Sequence, residues 1–298
     1  MPRLSWRYWR NIALVGVSGV AIGVVAVALY IVALASQAAQ TALTPPRIPV
    51  AQTPGEMGIE AYTNVTFTTV DNINLYGWYV APASENATVI ILLHGYASNR
   101  QSLLPEARIL TQHGYGVLLF DFRGHGESDA ALVTLGDHEQ RDLAAAIEWA
   151  VNQPRVRRLG AIGFSMGGAV LAQVAATDSR VGAVVIEATF STLDEELRYR
   201  ARQFGWLSQL PALYVMRQAG IGLDRVRPVD VLCAICPRRV LLIYGSADTF
   251  VPPGTAQAMQ EAACGSADLW IVPGATHQNF TEAVPAEYAA RLLDFFGQ

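Results

Sequence analysis

GFSMGG, residues 163–168, separates an apolar run, RRLGAI, from an alanine-rich stretch, AVLAQVAATDS. The run reads as a strand and the stretch as a helix, so a serine among glycines falls where one turns into the other. Glycines at such a junction allow a backbone bent more sharply than side chains permit. A buried serine offers a core little, so Ser165 is either punctuation or a nucleophile.

Working outward, strand-like runs alternate with helical patterns: TVIILLHG, GYGVLLFDF, RRLGAIGF, GAVVIEATF, RRVLLIYG and DLWIVPG. Fully apolar runs separated by helices predict an α/β chain whose mostly parallel sheet is covered on both faces. Ahead of them, VTFTTV and INLYGWYV flank Asp71 and Asn72 as an antiparallel hairpin. No internal repeat is present.

Gly163-Phe164-Ser165-Met166-Gly167 meets the G-x-S-x-G pattern in the strand-to-helix context that a nucleophile elbow demands. Five residues alone recur by chance, so the partners matter. A serine hydroxyl needs an adjacent base. All 21 basic residues are arginine, which excludes a Ser-Lys dyad, a pyridoxal Schiff base and a P-loop lysine. The base is then a histidine, and His277 in PGATHQNF is the one histidine after Ser165. On its own it would read as a surface loop residue. Asp248 follows RRVLLIYG directly, at the strand edge where parallel sheets gather their sites; a helix N-cap is its ordinary alternative. Asp178, Asp194, Asp224 and Asp230 follow no strand-like run so directly. Two N–H donors for a developing oxyanion are expected from Met166 and, after His94-Gly95, from Tyr96. His94 itself is expected to shape that loop.

LLHGYA, DFRGHGES, GFSMGG, GSADTFVP and GATH, in that order over roughly residues 59–298, resemble the serine hydrolases of the α/β-hydrolase superfamily. Within it they resemble monoacylglycerol-lipase-like and prolyl-oligopeptidase-like members with small lids. The resemblance implies an α/β-hydrolase fold, catalysis by Ser165, Asp248 and His277, and no cofactor or metal. It also implies structural roles for Arg123, His125 and Ser128. Serine at the nucleophile position argues against the dehalogenases of that superfamily, which carry aspartate there. It further implies a helical lid over about 191–237, where Trp206, Leu207, Leu210, Leu213, Tyr214 and Met216 either line an acyl pocket or pack the insert on the body. Arg198, Arg200 and Arg202 read as a solvated helix face.

With 298 residues, 52% hydrophobic, 15% charged and a net charge of -4, the chain has the composition of a globular domain and not of a nucleic-acid binder. Cys233 and Cys236, in CAIC, and the distant Cys264 read as ordinary apolar packing, not as a disulfide framework or redox motif. The five histidines lack metal spacing.

From Ile12 to Ala35 no residue is charged. These roughly 24 residues reach ~36 Å as a helix, enough to cross a ~30 Å hydrocarbon core. Arg3, Arg7 and Arg10 precede the run, and the next arginine is Arg47. By the positive-inside tendency the N-terminus is cytoplasmic and the remainder outside. A signal peptide cleaved near Ala33-Leu34-Ala35 is the alternative, and it exports the domain as well. The expected organisation is a stub and anchor over 1–35, a flexible linker over 36–58 and a catalytic domain over 59–298. The expected activity is hydrolysis of a small or amphiphilic carboxylic ester, lipid-derived esters and thioesters included. An exported peptidase and a non-catalytic binding protein remain alternatives, and no oligomeric state is implied.

Overall fold

The computed structural model describes residues 5–85, 87–202 and 209–297. Arg3, Trp206 and Leu207 therefore lie outside the described residues.

Alanine and valine dominate helix α1 (Trp6–Leu43), which meets no charge after Arg10. Among the described residues it is the one helix long and apolar enough to cross a membrane, with a mean hydropathy of 2.6. The flexible linker expected from residue 36 gives way to helix as far as Leu43. Ser36–Leu43 is rich in alanine and glutamine, both good helix formers, and the stop comes with Pro45 and Pro46. The following segment is laid along the body. Asn99 donates to the Ile48 and Pro49 carbonyls, Arg47 donates to the Gly126 and Ser128 carbonyls, and the Ala51 and Gln52 N–H groups donate to Gln101.

Strands β1 (Thr63–Thr68) and β2 (Asn74–Val80) form the expected hairpin, with Asn72 in the left-handed region at its turn. The alternating units follow: β3 (Ala87–Leu93), α2 (Leu104–Gln112), β4 (Gly116–Phe120), α3 (Glu139–Val151), β5 (Val156–Phe164), α4 (Met166–Thr177) and β6 (Val181–Glu187). The insert then contributes α5 (Leu193–Ala201), α6 (Gln209–Gln218) and α7 (Pro228–Val231). The chain ends with β7 (Arg239–Gly245), α8 (Thr255–Ala262), β8 (Ala267–Val272), α9 (Phe280–Ala283) and α10 (Pro285–Gly297).

The eight strands order as β1-β2-β4-β3-β5-β6-β7-β8, antiparallel at β1-β2-β4 and parallel from β4 through β3 to β8. Helices cover both faces, so the central strands lose all contact with water: Val89 to Leu93 of β3 and Val117 to Phe120 of β4 are buried throughout. Each such side chain stabilises the fold by roughly 1.5–3 kcal/mol. The parallel register sets the carboxyl ends of β3, β5 and β6 level: Leu93 lies beside Gly163, and Phe164 beside Glu187.

In the insert, Leu213 and Met216 are buried with Leu43, Phe190, Leu193 and Val226. They pack α6 onto the body and the end of α1, whereas Leu210 and Tyr214 face outward. The reading of the cysteines is corrected: Cys233 is disulfide-bonded to Cys264, and Cys236 is an exposed free thiol. The fold brings the short helical turn that carries Cys233 against α8, whose far end leads to Cys264, so their Cα atoms lie 5.1 Å apart.

Candidate active site

Ser165 adopts φ 52° and ψ -113°, a conformation that costs a residue with a side chain on the order of 1–3 kcal/mol and persists only where the surroundings dictate it. They do so here through the main chain. Its N–H donates to the Glu187 carbonyl at 2.8 Å, and its own carbonyl accepts from Thr189 Oγ1 at 2.8 Å and from the Ala169 N–H at 3.1 Å. Thr189 is fixed in turn by the Tyr244 hydroxyl, 2.9 Å from its carbonyl. The turn also needs its glycines. A Cβ on Gly167 would collide with the Leu93 and His94 carbonyl oxygens, and one on Gly163 would strike the Gly167 carbonyl. Strand and helix therefore cross too closely for any side chain, and Ser165 is left at the apex, partly exposed.

His277 reaches that apex from the loop after β8. Its Nε2 lies 3.1 Å from Ser165 Oγ and its Nδ1 lies 2.8 Å from Asp248 Oδ2. The carboxylate accepts from Nδ1–H, which leaves the Nε2 lone pair facing the hydroxyl. Asp248 Oδ1 accepts the Phe250 N–H at 2.7 Å, so both its oxygens are occupied. The two loops are tied directly, by the Ala247 N–H to the Ala275 carbonyl at 2.9 Å. Glycine at 245 is required because the Ala275 and Thr276 carbonyls press on its Cα. A hydroxyl, an imidazole and a carboxylate in this chain can pass a proton from the first to the second while the third stabilises the imidazolium.

The residues expected to supply the oxyanion donors open α4 and the loop after β3. Met166 opens α4, where the first-turn N–H groups have no intrahelical acceptor. Tyr96 follows His94 and Gly95 at the end of β3, and the next N–H, that of Ala97, is committed to His125 Nε2 at 3.2 Å.

A family profile described as alpha/beta hydrolase fold matches residues 88–218. The esterase Pf2001 of Pyrococcus furiosus superimposes with a TM-score of 0.72 at 30% identity, over 86% of this chain and 97% of that one. The chain belongs to the α/β-hydrolase superfamily. This hydrolase is also similar to the uncharacterized protein YqkD of Bacillus subtilis, 27% identical over 68% of this chain and 69% of the relative. The uncharacterized protein YfhR of Escherichia coli is 26% identical, over 78% and 79% respectively.

Behind the site of the hydrolase, residues 121–128 form a platform of buried, paired charge. Arg123 holds Asp142 through its N–H, Nε and Nη2, and Asp71 through Nη1 and Nη2. The Arg123 bonds hold the Asp71 carboxyl well below the usual carboxylate range. Asp121 receives the Arg100 N–H and guanidinium. His94 is fully buried: its Nε2 accepts the Phe122 N–H at 3.0 Å, and its Nδ1–H donates to the Gly95 carbonyl at 2.7 Å. Burial drives its pKa well down, and lowers that of His125 too, so both stay neutral struts between β3 and β4.

Phe250, Thr189 and Tyr244 escaped the reading of the sequence, and Arg200 was read without its place at the site. Phe250 stacks on His277 with ring centres 4.9 Å apart, and the Arg200 guanidinium lies 5.3 Å from the centre of the Phe250 ring. Arg200 is exposed, as expected of a solvated face, and is paired with Glu196 at the mouth. Thr189, just past β6, and Tyr244, in β7, fix the elbow. For Thr189 and Phe250 the only signal was a polar or aromatic residue shortly after a strand. Among the described residues no group of three or more His, Cys, Asp or Glu side chains is placed to hold a metal ion.

Proposed function

We propose that the protein is a serine hydrolase that cleaves carboxylic esters by acyl transfer to Ser165. The observation that carries this reading is the unbroken chain from Ser165 Oγ through His277 to Asp248, at 3.1 and 2.8 Å. The 30% identity to an esterase over most of both chains supports the same chemistry. His277 Nε2 takes the hydroxyl proton as Oγ adds to the ester carbonyl. The Met166 and Tyr96 N–H groups receive the oxyanion, each worth ~3 kcal/mol of barrier. His277 then gives its proton to the departing alkoxide, which leaves an acyl-serine. Water deprotonated by His277 attacks that acyl group and releases the acid, and Ser165 regains its proton. Asp248 holds the imidazole in the required tautomer throughout.

Helix α1 anchors the enzyme, with its arginine-bearing end cytoplasmic and the hydrolase domain outside. The Cys233–Cys264 disulfide supports that side of the membrane, since such bonds persist in oxidising compartments. An amphiphilic or lipid-derived ester suits an anchored enzyme whose insert turns Leu210 and Tyr214 outward. The test is hydrolysis of p-nitrophenyl esters of increasing chain length by the full chain in detergent, beside Ser165→Ala. Turnover that vanishes in the variant supports the assignment, and turnover that survives it overturns it.

A further inference from the structure

Directly behind the elbow, two carboxyl groups with no basic partner face one another in the protein interior. Glu187 ends β6, immediately beside Phe164 in register, and is 2% exposed; Glu106, on α2, is 6% exposed. Tyr288 of α10 is fully buried and donates its hydroxyl to Glu187 Oε1 at 2.5 Å. It also interacts with Glu106. Glu106 Oε2 is buried without a hydrogen-bond partner. The space between these groups, about 10 Å³, is bounded also by Ser102, Phe164 and Gln278, and lies at the lower limit for a single water. The titratable groups lining it are Glu106 from α2 and Glu187 from β6, with Tyr288 of α10 bonded to Glu187, and among the described residues no arginine lines it.

A buried carboxylate is retained in proteins when a cation or several donors satisfy it. Arg100 and Arg123 do this for Asp121 and Asp142 elsewhere in the molecule. Here the one phenol donates to Glu187 alone, and two negative charges across a space of this size repel strongly. A proton held by the pair removes that repulsion. The main chain of Glu187 gives this a consequence for catalysis, because its carbonyl is the acceptor that holds the strained Ser165 N–H.

We propose that Glu187, Glu106 and Tyr288 form a positioning cluster for Ser165, in which one proton bound by the carboxyl pair keeps the end of β6 in place. Loss of that proton forces Glu187 and Glu106 apart and carries the Glu187 carbonyl away from the elbow. Ser165 then loses the bond that fixes its backbone, while the entrance to the site is untouched. Burial, and next the Glu187 charge, push the Glu106 carboxyl up to about 8, and burial raises Glu187 as well. Since the folded values lie above the unfolded ones, the pair costs no stability below the ordinary glutamate value of 4.5, and stability falls as pH rises from there to about 8, above which the loss is complete. This inference rests on Ser165 being the nucleophile, but its effect on stability does not.

The experiment compares wild type with Glu106→Gln in the full chain, since an amide reproduces the protonated acid and cannot ionise. Two readouts are taken across pH: the thermal midpoint, and kcat with KM for a p-nitrophenyl ester. The expected result is a fall of kcat on the alkaline side in wild type with KM little changed. In Glu106→Gln, normalised to its own plateau, that limb moves up by about one pH unit or more, and the loss of thermal midpoint between pH 4.5 and about 8 shrinks. Superimposable limbs and midpoints overturn the proposal. So does failure of both Glu106→Gln and Glu187→Gln to fold at neutral pH, which would mean that the pair needs its charges. If Ser165→Ala retains turnover, the catalytic reading falls, while a changed midpoint profile still assigns the shared proton.

Discussion

The loop at 121–128 and helix α5 both flank Ser165, yet they handle charge in opposite ways. In the loop, arginines and aspartates are buried and shared among several elements: Arg123 is 3% exposed and Asp142 not at all, and Asp71 joins them from the hairpin. On α5 the pairs are local, Arg198 with Asp194 and Arg200 with Glu196, and both arginines are about 40% exposed, so that Arg198–Asp194 is a surface pair while Arg200 covers a buried Glu196. A buried pair that loses one partner strands the other in a dry interior; a surface pair simply exchanges its partner for water. The first arrangement fixes the geometry behind the nucleophile, and the second lets the covering insert vary at little cost. Position under the site is bought with rigidity, while the mouth stays adjustable.

Ser165→Ala sets the scale for both regions, because each matters only through the residue it surrounds. Its kcat should fall on the order of 10⁶-fold, measured on the ester that the wild type turns over fastest. Arg123→Ala should then destabilise the fold by about 3–5 kcal/mol, by leaving Asp142 buried and unpaired. Denaturant unfolding of this variant beside Arg198→Ala is the sharpest attack on the contrast, and equal costs would break it.

A subtler difference lies in acid. Asp71 is held below its ordinary value by Arg123, so it contributes stability that is complete above the unfolded value near 3.8 and is lost as pH falls below it. Asp71→Asn should therefore flatten the fall in thermal midpoint between about pH 5 and pH 3, and an unchanged slope would detach Asp71 from the platform. The smallest effect belongs to Arg198→Ala, about 0.5 kcal/mol or less and weaker still in high salt.

What was legible in the sequence followed from how locally its physics is written. The elbow lies in six consecutive residues whose glycines, serine and flanking runs carry their own explanation. The parallel sheet was legible because burial on both faces demands continuous apolar runs. Asp248 and His277 could be singled out by order and by their places after strands, and the fold brings them together with Ser165. Other features are properties of the packed chain. Cys233 and Cys264 are 31 residues apart, and the nearby Cys236 was the more obvious partner. Glu106 and Glu187 meet only because α2 packs across the sheet, and nothing in either neighbourhood signals the other. The prolines at 45 and 46 drew the reading of 36–58 toward an extended chain, whereas the eight residues before them had the composition of a helix.

That last feature has a mechanical meaning. A flexible leash of the 23 residues from 36 to 58 would have let the domain wander through a root-mean-square reach of roughly 25–30 Å. A helix that runs unbroken past Ala35 and ends with Leu43 buried against the insert is instead a mast. On the anchoring proposed above, its eight residues beyond the apolar span would set a stand-off of about 12 Å, and the domain would keep one altitude and one heading above the bilayer.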